Sequence, residues 1–186
     1  MRPFYFKNYS KECGYFDDLN PYSFLRESVR WVNRDAPRDE CFMANEELSY
    51  TYGSFGFSRT YNSVLMNSFV KILMDDLNDN FDCNYNVCFL NYYKNEKQHL
   101  GSHSDDSPEM DKNHSITVIS FGAEREIWVK EKGFSGNIPA EDKFLLNDGS
   151  LFIMPSGYQE KYLHKIPKWD KPCGGRISLT FRKFNK

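Results

Sequence analysis

The segment Gly174-Gly-Arg176-Ile-Ser178-Leu-Thr180-Phe-Arg182 alternates without a fault. Ile177, Leu179 and Phe181 are apolar, whereas Arg176, Ser178, Thr180 and Arg182 are polar. Successive strand side chains point to opposite faces, so this reads as a β-strand with one apolar face and one face carrying two guanidiniums. A guanidinium is a planar fork matched to carboxylates. The two arginines stand about 20 Å apart at roughly 3.3 Å per residue, too far for outstretched side chains to share one carboxylate. Leaning inward, they can hold the two ends of a short dicarboxylate lying along the strand.

The same texture extends upstream. Apolar or alternating runs at 85–93, 98–103, 115–121, 124–131, 143–146, 150–154 and 160–166 precede the 174–184 run, most of them separated by Gly, Asn, Asp or Pro. Many short strands with turn punctuation argue a sandwich or barrel. Before them come two helical patterns. Asn20-Pro21 caps and opens the first, whose stripe of Leu25, Val29 and Val32 runs through residue 33. Asn62 or Ser63 caps the second, which reaches about Asn78 with Leu65, Phe69, Ile72, Leu73 and Leu77 on one face. Residues 34–61 read as short strands and loops. The expected fold is therefore mainly β with flanking helices: a double-stranded β-helix, or jelly roll, with N-terminal helices packed on one sheet.

A chain of 186 residues with 16 Phe and 12 Tyr can bury a sizeable core in one domain. No apolar run is long enough to span a bilayer, and the N-terminus lacks a secretory apolar region. Residues 1–90 hold 9 basic and 13 acidic groups (−4), and residues 91–186 hold 15 and 13 (+2), for a net charge of −2. That balance excludes a protein that grips long nucleic acid by charge alone, so any such contact is short and local. The five cysteines (Cys13, Cys41, Cys83, Cys88, Cys173) are scattered and form no Cys-x-x-Cys. Reduced thiols in a cell interior, cytoplasmic or nuclear, fit them better than a disulfide framework.

The stretch His99-Leu-Gly-Ser-His103-Ser-Asp105-Asp106 adds chemistry. His103 and Asp105, two apart on an extended strand, share a face and supply two legs of a 2-His-1-carboxylate iron site. The second imidazole is best supplied by His164, in the late run Tyr162-Leu-His164. His99 lies so close to His103 that it would crowd the same side of the ion, and His114 has no acidic or aromatic context. In the first β run, Asn91 and Tyr93 share a face and can donate hydrogen bonds to a carboxylate oxygen.

Together these segments resemble the AlkB-type Fe(II)/2-oxoglutarate dioxygenases, oxidative nucleic-acid demethylases built on a jelly-roll core. The resemblance spans about residues 36–184 and follows family order: Pro37-Arg38, Leu48-Ser-Tyr-Thr-Tyr-Gly53, Asn91-Tyr-Tyr93, His103-Ser-Asp105, Ser115-Ile-Thr-Val-Ile-Ser-Phe-Gly122, Asp148-Gly-Ser-Leu151, Tyr162-Leu-His164 and Arg176 to Arg182. Ser178 stands where the family has Asn. The resemblance implies that His103, Asp105 and His164 hold Fe(II), with 2-oxoglutarate as cosubstrate and O2 in the last position. It implies that Arg176 and Tyr93 hold the distal carboxylate, assisted by Asn91 and the Ser178 position. Arg182 would reach the carboxylate next to the metal, and Tyr52 would stack on a flipped base against the ring of His103. Tyr50 and Arg38 would line the same lid.

An acidic residue that contacts the base in some members falls at Ser107, leaving Asp106 or Glu109 to supply it. No apolar wedge precedes Pro37, which fits a single-stranded or already open substrate. The expected activity is oxidative demethylation of bases such as N1-methyladenine or N3-methylcytosine in DNA or RNA by a monomeric, non-membrane protein. The alternatives are the same chemistry on a protein or lipid, and a binding protein that keeps the fold without turnover. On this reading residues 1–186 form a single dioxygenase domain: 1–61 an N-terminal helix and nucleotide-recognition lid, 62–80 a supporting helix, and 85–184 the catalytic core.

Overall fold

A computed structural model describes residues 1–12, 14, 18–52 and 58–185. Cys13 and Gly53 lie outside these. In chain order the strands are β1 (Phe4–Phe6), β2 (Val32–Asn33), β3 (Asp39–Ala44), β4 (Ser49–Tyr52), β5 (Arg59–Asn62), β6 (Val64–Leu65), β7 (Val87–Tyr93), β8 (Leu100–His103), β9 (Ile116–Gly122), β10 (Arg125–Glu131), β11 (Lys143–Leu146), β12 (Leu151–Met154), β13 (Tyr162–Ile166) and β14 (Arg176–Arg182). The α-helices are α1 (Tyr9–Glu12), α2 (Pro21–Ser28), α3 (Ser68–Phe81) and α4 (Tyr158–Lys161).

The strands form the jelly roll that the alternation predicts. The major sheet runs β1-β12-β9-β14-β7-β3-β2, with β6 alongside β3, and the minor sheet runs β11-β10-β13-β8. A separate hairpin pairs β4 with β5. β14 lies between β7 and β9, antiparallel to both. Its Ile177, Leu179 and Phe181 pack outward with Leu25 and Val29 of the α2 end and with Phe69, Val70, Leu73, Met74 and Leu77 of α3. A second apolar cluster, including Val87, Phe89, Val118, Ile127, Val129, Phe152 and Ile166, fills the space between the sheets. The polar residues of β14 face into that space. Each large apolar side chain fully buried in this way contributes on the order of 1.5–3 kcal/mol.

Both helices differ from the expected boundaries, for local reasons. α2 has Asn20 as its cap and Pro21 in its first turn, as expected, but ends at Ser28. Val32 and Asn33 instead pair with Glu40 and Asp39. The Asn33 side chain closes the turn between them, donating to Asp39 Oδ1 at 2.9 Å and accepting the Asp35 amide at 3.1 Å. α3 begins at Ser68, with Asn67 Oδ1 accepting the Val70 amide at 2.9 Å. Neither Asn62 nor Ser63 caps it: Asn62 belongs to β5, and Ser63 Oγ is spent on the Leu48 amide and the Glu46 carbonyl. Leu65 and Ile72 are consequently exposed, while Phe69, Leu73 and Leu77 are buried. The helix runs to Phe81, three residues past the expected end, and stops at Asp82 in the left-handed region.

The β9–β10 turn carries one glycine that its geometry requires. Gly122 has φ +91°, and a Cβ there would lie 2.5 Å from the Gly175 carbonyl oxygen and 2.7 Å from the Tyr22 ring. Gly122→Ala therefore combines backbone strain of about 1–3 kcal/mol with a clash against backbone. It should lower the melting midpoint by about 4–8 °C. An unchanged midpoint in a thermal melt would refute this account of the turn.

Candidate active site

Two adjacent strands of the minor sheet bring the imidazoles together, since His103 on β8 is the direct cross-strand partner of His164 on β13. Their ring centroids are 4.3 Å apart. Asp105, two residues past His103, turns its carboxylate onto the same spot, and the candidate ligand atoms of the three residues all lie within 4.8 Å of one another. His103 Nδ1 faces the Gly101 carbonyl at 3.0 Å. A carbonyl only accepts, so Nδ1 donates to it, which turns Nε2 toward Asp105 Oδ1 at 3.6 Å. Asp105 Oδ2 and His164 Nδ1 are buried with no hydrogen-bond partner among the described residues.

The electrostatics suit a cation. Burial works to raise the Asp105 pKa, but the Arg182 guanidinium at 2.9 Å and the neighbouring His103 outweigh it, and the carboxyl stays well below its usual range. Burial, followed by His103, pushes His164 down to about 3, so its imidazole is neutral near pH 7. Two imidazoles, that of His164 held neutral, and one carboxylate make a donor set that fits a divalent metal with open positions.

The inner face of β14 supplies the anion cradle. Arg176 pairs in register with Tyr93 on β7 and Gly122 on β9, and Ser178 pairs with Asn91 and Ser120. Arg176 is 1% exposed. Its Nη2 donates to Ser120 Oγ at 2.8 Å, and Nε, Nη1 and the Tyr93 hydroxyl have no partner among the described residues. Burial pushes the Arg176 pKa down to about 10, with Arg125 adding to the effect and Tyr93 opposing it. A guanidinium held there as a cation demands an anion.

The lid residues are placed less simply. Tyr50 is buried, stacked on Tyr61 at 5.1 Å and edge-on to Phe42 at 4.9 Å, so it forms the floor beneath Tyr52. Tyr52 and His103 meet perpendicular, with centroids 6.3 Å apart, rather than as two parallel walls. Arg38 is held by Glu40 Oε1 at 2.5 Å and by Asn91 Oδ1 at 2.6 Å. Asn91 therefore spends its carbonyl on Arg38 and keeps only its amide N–H groups for a ligand. Asp106 is exposed and engaged by Ser104 Oγ at 2.7 Å and Lys132 Nζ at 3.5 Å. Arg38, Tyr52, Asn91, His103 and Arg182 line a small, open cleft of about 50 Å³.

Three residues of the site escaped the sequence reading. Ser120 sits in a run expected to form a strand, with no role given to its hydroxyl. Gln159 Oε1 accepts the Asp105 amide at 3.0 Å. Arg125, fully buried, donates to the carbonyls of Asn95 (3.3 Å), Gln98 (2.9 Å) and Pro167. It thereby ties the turn before β8 to the residue just after β13, the two strands that carry the histidines. One charged fork bridging three carbonyls has no signature in sequence.

The model describing the 2OG-Fe(II) oxygenase superfamily matches residues 28–182. Among curated proteins, the alpha-ketoglutarate-dependent dioxygenase alkB homolog 3 of Bos taurus is 29% identical over 190 residues, covering 91% of this chain and 64% of that protein. Its Homo sapiens counterpart is 28% identical over 195 residues (93% and 66%). The DNA oxidative demethylase ALKBH2 of Homo sapiens is 28% identical over 183 residues (96% and 67%). The chain thus spans a little under two thirds of the alkB homolog 3 proteins it matches. The solved structure of OsALKBH1 shares the fold, with a TM-score of 0.68 at 17% identity over 98% of both chains.

Metal titration tests the cluster without turnover. Mn(II) at a hundredfold excess over its Kd should raise the melting midpoint by about 5–10 °C. His103→Ala, Asp105→Asn and His164→Ala should each lose that shift, and His99→Ala and His114→Ala should keep it. A full shift in Asp105→Asn would remove Asp105 from the ligand set. Arg125→Lys keeps the charge but loses the fork, and should cost about 2–4 kcal/mol in urea unfolding.

Proposed function

Since the chain belongs to the 2OG-Fe(II) oxygenase superfamily, we propose that it is an Fe(II)- and 2-oxoglutarate-dependent dioxygenase that removes N-methyl groups from nucleobases, preferring single strands. The observation that carries this reading is the juxtaposition of the His103–Asp105–His164 cluster with the partly unpartnered Arg176 guanidinium inside one sandwich.

In this reading His103, Asp105 and His164 hold the iron. Fe(II), with 2-oxoglutarate and O2 as co-reactants, supplies the oxidation: one oxygen atom enters succinate as CO2 leaves, and the other hydroxylates the N-methyl carbon, which departs as formaldehyde. The rest falls to the protein. Arg176, with Tyr93 and Ser120 beside it, binds the distal carboxylate of the cosubstrate. Ser178, on the same strand face and shorter than the Asn of the family pattern, leaves more room there. Arg182 orients the Asp105 carboxylate by its 2.9 Å hydrogen bond, and its Nε, buried without a partner, can meet the cosubstrate carboxylate beside the metal. Asn91 donates from its amide.

The base stacks on Tyr52 once that ring turns from its edge-on position over His103. Arg38 and Tyr50 shape the mouth and floor, and Asp106 lies next to the ligand Asp105 at the rim. Base chemistry needs the base out of the helical stack. Stacking on an aromatic returns about 1–3 kcal/mol, enough to offset unstacking in a single strand and hardly enough for a duplex. The names of the relatives, dioxygenases and DNA oxidative demethylases, support the substrate class.

A mass-spectrometric panel of oligonucleotides carrying N1-methyladenine or N3-methylcytosine, as DNA and RNA, single and double stranded, tests this directly. Formaldehyde release and mass loss are expected, faster in single strands. Failure on every oligonucleotide with succinate still produced would redirect the chemistry to a protein or lipid substrate. Tyr52→Ala should slow demethylation strongly and leave uncoupled succinate formation largely intact. Arg176→Ala should raise the 2-oxoglutarate KM, since stranding one partner of a desolvated charge pair costs on the order of 2–5 kcal/mol. Unchanged affinity by calorimetry would make that arginine structural only.

A further inference from the structure

The outer face of the minor sheet carries a second feature, on the side of the strands opposite the metal cluster. β10 turns Arg125, Ile127 and Val129 inward and Glu126, Trp128 and Lys130 outward. Trp128 stands in register with Lys143 of β11 on one side and Lys165 of β13 on the other. Both ammonium groups lie over its ring, 4.4 and 4.6 Å from the centroid. The indole N–H donates to Glu126 Oε2 at 2.6 Å, which fixes the ring. Lys130 follows one row further along the same face. Among the described residues, none of Lys130, Lys143 and Lys165 has a carboxylate within ion-pair distance. A chain of net charge −2 therefore gathers on one face three half-buried lysines with no ion pair among the described residues, two of them over one aromatic ring.

We propose that this face is a docking surface for the sugar-phosphate backbone of a nucleic-acid strand, flanking the nucleotide whose base enters the active site. The inference rests on the proposed nucleic-acid substrate and names where the strand runs. β8 is the edge of the minor sheet, and Tyr52 stands over His103 at that edge. From the β8 edge to Trp128 is two strand spacings, roughly 10 Å, a few nucleotides of chain. Lys165 lies between, directly after His164 but on the opposite face. A strand leaving the mouth over β8 would lay its phosphates against Lys165, Lys143 and Lys130. The ammonium groups are already held against the sheet, so little side-chain freedom is lost on binding. The contact is local, which is how a slightly acidic protein can still hold a polyanion.

The test compares Lys143→Gln/Lys165→Gln with Lys7→Gln/Lys71→Gln, which removes the same charge from exposed sites elsewhere. Binding of a fluorescent, unmethylated single-stranded 15-mer is followed by anisotropy across a salt series. The first pair should bind several-fold more weakly at low salt, with a log Kd against log salt slope reduced by about 1.4, two contacts at about 0.7 each for single strands. The control pair should keep the parental slope. Among methylated substrates the loss should appear as a raised KM for the 15-mer and be absent for a trinucleotide. An unchanged slope in the first pair, an equal loss in the control pair, or an equal loss on the trinucleotide would each overturn the proposal. Because anisotropy uses unmethylated strands, the surface can fail while demethylation stands, and demethylation can fail while the surface stands.

Discussion

Two guanidiniums inside a sandwich set the conditions for everything around them. A buried cation without an anion costs several kcal/mol, yet β14 places Arg176 and Arg182 in the space between the sheets. Arg182 is answered from within, by Asp105 at 2.9 Å. Among the described residues Arg176 meets no carboxylate: it has the Ser120 hydroxyl and Tyr93, whose ring lies 5.3 Å away. The molecule offsets this polar interior on the other side of the same strand, where Ile177, Leu179 and Phe181 pack under α2 and α3. One strand thus divides its labour by face: stability outward, an unfilled demand for a carboxylate inward.

That division was legible because it is local. Strict alternation over seven residues fixes faces whatever the neighbours are, and the eight downstream strands appear within a few residues of where the runs put them. His103 and Asp105 do meet, but not as strand alternation predicts: β8 ends at His103 and Asp105 lies just past it; His164 was legible by its place in a late strand. What escaped depends on partners distant in sequence. Ser120 matters only because β9 lies beside β14 in the sheet. Arg125 matters through carbonyls, which every residue has. The start of α3 was misjudged where two side chains competed for one job: Asn67 caps the helix, while Ser63 closes a turn that belongs to β4. The place of β3 in the major sheet, between β7 and β2, needed long-range pairing that residues 39–44 do not announce.

The approach to the metal cluster is built from the same economy of shared partners. Glu40, buried on β3, holds Arg38 and accepts a hydrogen bond from Tyr61 at 3.2 Å. Arg38 in turn holds Asn91. One buried carboxylate therefore sets the position of the rim and, one step on, the orientation of an amide that faces the cradle. Any movement of Arg38 away from the cleft it lines with Tyr52 has to pull against this chain of contacts.

The pairing of β8 with β13 is short, His103 against His164 and Leu100 against Ile166, with an irregularity between. So brief a ladder is weakly specified by its own hydrogen bonds. A slip of β8 by one residue would turn His103 and Leu100 to the outside, and Leu100 would leave the apolar cluster that holds Ile166. A cation that binds only when both rings face inward would add its own preference for the native register to that packing.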